Sequence, residues 1–220
     1  MNRILAIQIL ILFSLLYATG QEIIPLENDK LIQKYFSDEE IINLKLITNY
    51  FDKIVLDWST SPETNKAYHE YLDYIVENID KKEVIYQHIN PNLQNRVDLF
   101  DTLETNNFFN EIWKYENVTR VSVKDTTLIN PPNFETLELN IQGKYFDYLK
   151  KLSRKDKNYH EVYKSIMASG AIGPYIRWWS IRQNNLMNYN KEYNRLFLAI
   201  SLFSYEDWEV KVSRYLQIQK

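Results

Sequence analysis

The segment from Tyr175 to Arg182 holds the side chains of this chain that are best suited to binding a ligand. At helical spacing, Tyr175, Trp178, Trp179 and Leu186 form one apolar face, and Arg182 falls in its middle. A guanidinium among aromatic rings is costly unless it stacks on them or pairs with an anion. The candidate ligand-binding residues are therefore Tyr175, Trp178, Trp179 and Arg182.

Arg182 allows two interpretations. In the first, which we favour because internal arginines are commonly paired, it forms an ion pair within the fold. The candidate partners are Asp147, Glu161 and Asp207. In the second, it lines an aromatic cleft that captures a small anionic or sugar-like ligand. Arg177 falls on the opposite helix face, where we expect a solvated side chain.

The spacing of the three histidines does not predict a metal site. His69 and His160 fall at the edges of apolar helix faces, and His88 stands at a helix end before a proline. Helical metal ligands come in pairs three or four residues apart, as in Glu-x-x-His or His-x-x-x-His, and neither pattern occurs. We predict no bound metal, and we expect the carboxylates of Asp52 and Asp147 to point outward.

Motifs for covalent catalysis and for cofactor binding are missing from the sequence. The chain has no cysteine, and only three of its four glycines follow residue 20, so neither a nucleophile elbow nor a phosphate-binding glycine loop occurs. We predict no cofactor. A pair of carboxylates assembled by the fold could still hydrolyse a glycosidic bond. A cell-envelope hydrolase in which Arg182 orients the substrate is therefore the enzymatic alternative.

The N-terminus predicts export. Arg3 precedes an apolar run from Ile4 to Tyr17, and Ala18-Thr19-Gly20 resembles a cleavage site, so residues 1–20 are predicted to be a signal peptide. A retained N-terminal anchor is the alternative, but the run is too short for a membrane span. Without Arg3 the charge is 25 basic against 29 acidic residues, or −4, with no basic stripe for nucleic acid. The absence of cysteine and the abundance of asparagine favour a bacterial periplasm or exterior.

Helical periodicity runs through most of the mature chain. A capping box at Ser37 to Glu40 precedes one helix, and Ser61-Pro62-Glu63 precedes the next. Helical patterns recur from Phe108 to Tyr115 and again from Phe134 onward, whereas only Val118–Val123 alternates like a strand. We therefore predict an all-α fold for residues 21–220.

The two halves of the chain share a pattern that suggests duplication. Tyr50-Phe51-Asp52 precedes Tyr68-His69-Glu70, and Tyr145-Phe146-Asp147 precedes Tyr159-His160-Glu161. The predicted units are residues 38–116 and 134–212, joined by a proline-containing linker at 117–133. Coincidence is the alternative, because no third copy occurs.

The glycines beside the candidate ligand residues have a structural explanation. Gly170 fits the left-handed position after a helix, and Pro174 fits the first turn of the next helix. The segment is therefore predicted to be a helix–turn–helix connection.

The sequence as a whole favours an exported, non-catalytic helical protein that binds another protein or a small ligand. Its aromatic content supports this prediction, because tyrosine and tryptophan supply contact area at low entropic cost. The alternatives are the hydrolase described above and an inert structural protein of the cell envelope.

Overall fold

The computed structural model describes residues 23–78, 82–204, 211–212 and 215–216, so the predicted signal peptide lies outside the described residues. The α-helices are α1 (Ile32–Tyr35), α2 (Asp38–Trp58), α3 (Thr64–Glu77), α4 (Lys82–Ile89), α5 (Leu93–Thr105), α6 (Lys144–Leu152), α7 (Lys157–Ser169), α8 (Pro174–Arg182) and α9 (Glu192–Phe203). The strands are β1 (Trp113–Asn117), β2 (Arg120–Val123), β3 (Thr126–Ile129) and β4 (Glu135–Leu139).

Helix α9 is the centre of the fold. Its residues from Asn194 to Phe203 are all buried, and it packs along α2. A helix that is buried on nearly every side must be surrounded by other elements. Helices α2 and α8 pack against α9, and α3 packs against both α2 and α8. Aromatic edge-to-face contacts connect these layers, including a 5.8 Å contact between the rings of Phe51 and Phe203.

Three sequence-predicted helix boundaries are confirmed. Ser37 accepts a hydrogen bond from the backbone N–H of Glu40, while the Glu40 side chain accepts one from the Ser37 N–H, so the capping box is complete. Gly170 has φ 77° just after α7, and Pro174 opens α8. The helix predicted to begin at Pro62 begins two residues later, at Thr64.

The all-α prediction is wrong, because the described residues include two antiparallel two-stranded sheets. Strand β1 pairs with β4, with Trp113 opposite Leu139, and β2 pairs with β3. The segments 113–115 and 135–139, which we expected to be helical, belong to strands β1 and β4. Strands of four or five residues alternate over only two or three side chains, which is too short a pattern to distinguish from a helix turn.

The predicted linker at 117–133 is mostly a β-hairpin. Strands β2 and β3 are joined by the loop Lys124–Asp125, in which Lys124 has φ 49°. Asn130 and Asn133 also have positive φ, and they flank the two prolines that end the hairpin. Val121 lies with Phe134 and Val212 in a small apolar cluster that is separate from the main core.

The two predicted repeat units differ in their elements. Helix α2 of the first unit has 21 residues, whereas the corresponding part of the second unit begins with β4 and continues into α6, which has nine. His69 is half-buried and His160 is exposed. These differences do not favour duplication, which stays a prediction.

Among the described residues, no helix is both long enough and apolar enough to cross a membrane.

Candidate functional site

Helix α8 carries the residues that the sequence singled out, but it turns a different face to the core. The buried positions are Ile176, Arg177, Ser180 and Ile181, and Arg182 is exposed at the end of the helix. The expectation of Arg182 within an apolar face is wrong, and so is that of a solvated Arg177. The physical reason is the length of α8: the helix ends after nine residues, so Leu186 does not continue its apolar face.

Arg177 is instead a buried cap for the carboxyl end of α9. Its Nε donates to the carbonyl of Ser201 at 3.1 Å, and one terminal nitrogen donates to the carbonyls of Ile172 and Ser204. Arg96 donates to the carbonyl of Phe203 in the same region, at 2.9 Å. The last carbonyls of a buried helix need such partners, because no further turn supplies donors.

The predicted ligand residues are brought together only in part. Tyr175 and Trp179 line a cavity of about 270 Å³ with the charged Glu161 and Lys164 of α7. Trp178 packs against the main core, and Arg182 is not among the lining residues. Their role in binding stays a prediction.

A larger cavity, of about 380 Å³, lies between α2, α3 and the connection from α4 to α5. We call it the aromatic cavity. It is lined by Tyr50, Lys53, Ile54, Asp57, Trp58, Tyr71, His88, Pro91, Asn92 and Asn95. Its volume falls within the range of pockets that hold small molecules.

Helix α2 forms one wall of the aromatic cavity because three of its apolar residues are spaced to lie on one face. Tyr50, Ile54 and Trp58 stand four residues apart, so they lie along one face of the helix. All three are partly buried and pack against the main core. The ring of Trp58 lies 5.5 Å from that of Tyr71, nearly perpendicular to it, so two aromatic walls meet at a corner.

The tyrosine hydroxyls of the aromatic cavity are already used. Tyr50 donates to the carbonyl of Asn92 at 3.2 Å, and Tyr71 donates to the carbonyl of His88 at 3.0 Å. These two bonds fix the connection between α4 and α5, where Pro91 prevents the helix from continuing. The walls therefore present ring faces to the cavity, while burial raises the pKa of both tyrosines.

The polar groups of the aromatic cavity lie at its mouth and at one end. Lys53 and Asp57 form an ion pair of 2.7 Å, with side chains 71% and 66% exposed. His88 shares a hydrogen bond with the hydroxyl of Tyr74 through Nε2, at 3.1 Å. Asn95 is exposed on the first turn of α5. Uncharged or internally neutralised groups therefore dominate the lining.

A second group of polar residues lies in the interior, away from this cavity. Tyr68 donates to Oδ1 of Asp52 at 2.6 Å, and Nε of Arg195 lies 3.1 Å from the same oxygen, close enough for an ion pair although not aligned as a hydrogen bond. Glu192 accepts a hydrogen bond from the backbone N–H of Leu26. The expectation that Asp52 points outward is wrong, since its side chain is only 18% exposed.

These interior carboxyls have perturbed pKa values. Burial raises the pKa of Asp52, and the neighbouring Arg195 charge and Tyr68 hydroxyl only partly oppose the rise. Burial also raises the pKa of Glu192, against the Leu26 N–H and the Arg195 charge. The cluster joins α2, α3, α9 and the segment at Leu26, which is a structural role.

Sequence reasoning missed the aromatic cavity, although one signal was present. The spacing of Tyr50, Ile54 and Trp58 was visible as part of an apolar helix face, but apolar faces are usually core. The helix pattern alone does not show that the connection from α4 to α5 leaves a cavity beside this face. Among the described residues no group of three or more potential ligands could hold a metal ion.

Comparison of the chain with protein-family models, with curated proteins and with solved structures finds no match.

Proposed function

We propose that this chain is an exported, non-catalytic binding protein that holds a small ligand in the aromatic cavity. The observation that carries the proposal is the cavity itself: about 380 Å³, walled by Tyr50, Ile54, Trp58 and Tyr71, with polar side chains at its mouth. Apolar walls with a few convergent polar groups are the usual composition of a small-molecule site. Export to a periplasm or exterior is part of the proposal and rests on the sequence of residues 1–20.

The fold supports a preformed site more than a site that closes on its ligand. Two tyrosine hydroxyls tie the α4–α5 connection to α2 and α3, so the cavity walls are joined by hydrogen bonds before any ligand arrives. A preformed cavity avoids part of the ordering cost of binding.

No observation favours the hydrolase over the binding protein. Asp57, Glu161 and Glu104 each line a different cavity, and the carboxyls that the fold does bring near one guanidinium, Asp52 and Glu192, belong to the interior cluster. Glycoside hydrolysis needs two carboxyl groups on opposite sides of one scissile bond.

The test is a thermal-shift screen of small molecules on three proteins: the wild type, Trp58→Ala and Trp179→Ala. A ligand of the aromatic cavity raises the melting temperature of the wild type and of Trp179→Ala, because binding only to the folded state stabilises it. The same ligand leaves Trp58→Ala unshifted. Trp179 is the matched control, since it is a partly buried tryptophan that lines a different cavity.

Circular dichroism of Trp58→Ala establishes that the variant is folded before it is screened. A ligand that shifts all three proteins equally binds elsewhere, and such a result would refute the aromatic cavity as the site.

A further inference from the structure

We infer that the ligand of the aromatic cavity is a neutral pyranose sugar. This inference rests on the proposed function and specifies the chemical class of the ligand. It depends on three features of the cavity: what its walls present, the charge of its mouth, and the hydrogen-bonding groups that remain available.

The walls suit the apolar face of a sugar ring. Because the hydroxyls of Tyr50 and Tyr71 are bonded to backbone carbonyls, the aromatic residues offer mainly ring surface. Trp58 contributes an indole whose side chain is only partly buried. A pyranose has C–H groups on its faces and hydroxyls around its edge, so a face can pack on the indole while the edge reaches polar groups.

The mouth of the cavity favours a ligand without charge. Lys53 and Asp57 neutralise each other at 2.7 Å, so an anionic ligand would have to compete with Asp57 for the ammonium group. A cationic ligand would likewise have to compete with Lys53. A neutral ligand can use the outer hydrogen-bonding positions of both side chains and leave the pair intact.

The available groups match hydroxyls, which both donate and accept. The second carboxylate oxygen of Asp57, Nδ1 of His88 and the side-chain amide of Asn95 have no hydrogen-bond partner among the described residues. The indole N–H of Trp58 has none there either. Carboxylate and amide groups can each engage two neighbouring hydroxyls, because their two polar atoms have a matching separation.

The experiment is calorimetric titration of the full chain with two panels of probes. The first contains the methyl glycosides of glucose, galactose, mannose, xylose and N-acetylglucosamine. The second contains adenosine as a flat heterocycle, choline as a cation, and glucuronate as an anionic sugar. Each probe that binds is then titrated into Trp58→Phe, Asn95→Ala and Gln94→Ala.

The expected result is binding of at least one neutral glycoside, at least tenfold tighter than glucuronate. Asn95→Ala weakens this binding about tenfold, which is the usual effect of removing one good hydrogen bond. Gln94→Ala leaves it unchanged, because Gln94 donates to Asp98 on the same helix and does not line the cavity. Both positions are exposed, so neither variant threatens the fold.

The outcomes separate this inference from the proposed function. If adenosine or choline binds in a manner that depends on Trp58 and no glycoside binds, the cavity is a binding site and the sugar assignment is wrong. Preference for glucuronate overturns the neutrality. If no probe in either panel binds, or binding is unaffected by Trp58→Phe and Asn95→Ala, the sugar inference fails, and the wider screen above decides whether the cavity binds anything.

Discussion

The guanidinium of Arg177 joins the carboxyl end of α9 to the connection before α8. It is buried, and its donors reach carbonyls of Ile172, Ser201 and Ser204. Each of these carbonyls would lose a partner if the guanidinium were removed, and a buried acceptor without a partner costs about 1–3 kcal/mol. Arg182, five residues later, is exposed and lines no cavity described above.

Arg177→Met is expected to lower the free energy of unfolding by about 3 kcal/mol or more, through its unsatisfied carbonyls. Arg182→Met is expected to change it by no more than about 0.5 kcal/mol, as is usual for an exposed position. Urea denaturation of both variants measures the difference. Equal losses would contradict the placement of the two arginines.

Gly143 shows how closely two elements approach at the start of α6. A Cβ atom at this position would lie 2.4 Å from the carbonyl oxygen of Glu111, which is backbone and cannot move aside easily. A Cβ at Gly173, which precedes α8, would meet nothing within 4 Å, and its φ of −66° suits any residue.

Gly143→Ala is therefore expected to destabilise the fold by about 1–3 kcal/mol, the range for overpacking. Gly173→Ala is expected to be neutral or to stabilise by up to about 1 kcal/mol, because it restricts the unfolded chain. Melting temperatures of the two variants provide the measurement. A stable Gly143→Ala would show that the connection before α6 lies farther from Glu111.

The elements could be predicted from sequence where their signals are local. The capping box at Ser37, the left-handed Gly170 and the first-turn Pro174 each act within a few residues, and each is confirmed. The pairing of Trp113 with Leu139 depends on residues far apart in the chain, so no local sequence pattern predicts it.

The candidate site was less predictable than the helices for the same reason. Whether Tyr50 and Trp58 line a cavity depends on where the connection from α4 to α5 lies, which is set by tertiary packing. The choice between the faces of α8 also depends on tertiary contacts, because both faces carry apolar side chains and one arginine each. Helical spacing ranks these faces poorly when the helix has only nine residues.

At the scale of the whole molecule, the interior carboxyls give the stability an unusual dependence on pH. The pKa of Glu192 is raised above its ordinary value of 4.5 by burial, so the folded state binds this proton more tightly than the unfolded state. The tighter proton binding by Glu192 therefore contributes fully to the free energy of unfolding below pH 4.5, and this contribution is lost as the pH rises through the raised pKa. Asp52 acts in the same direction.

Glu192→Gln keeps an acceptor for the Leu26 N–H but cannot take up the proton. As the pH falls from 7 towards 4.5, the wild type is expected to gain stability relative to this variant. Urea denaturation at several pH values measures the gap between the two proteins. If the difference in stability stays constant, or if the wild type loses stability relative to Glu192→Gln as the pH falls, then the pKa of Glu192 is not raised.

Glu40→Gln is the control, because the pKa of Glu40 is shifted in the opposite direction from that of Glu192. Burial alone would raise the pKa of Glu40, but hydrogen bonds with Lys144 and Ser37 outweigh it and lower the pKa below 4.5. This contribution is present above pH 4.5 and is lost as the pH falls through the lowered pKa. The wild type is therefore expected to lose stability relative to Glu40→Gln in acid.

The two-stranded sheets also bear on how the protein behaves in concentrated solution. Each strand pairs with only one neighbour among the described residues, so four strand edges are left that could template pairing with another molecule. The sheet of β1 and β4 carries several charged residues. Lys114 lies opposite Glu138, and Glu116 and Glu135 lie near the other end of the sheet. Charged side chains along an open edge make intermolecular strand addition unfavourable. We therefore expect these charged residues to oppose aggregation through the open strand edges of the described sheets.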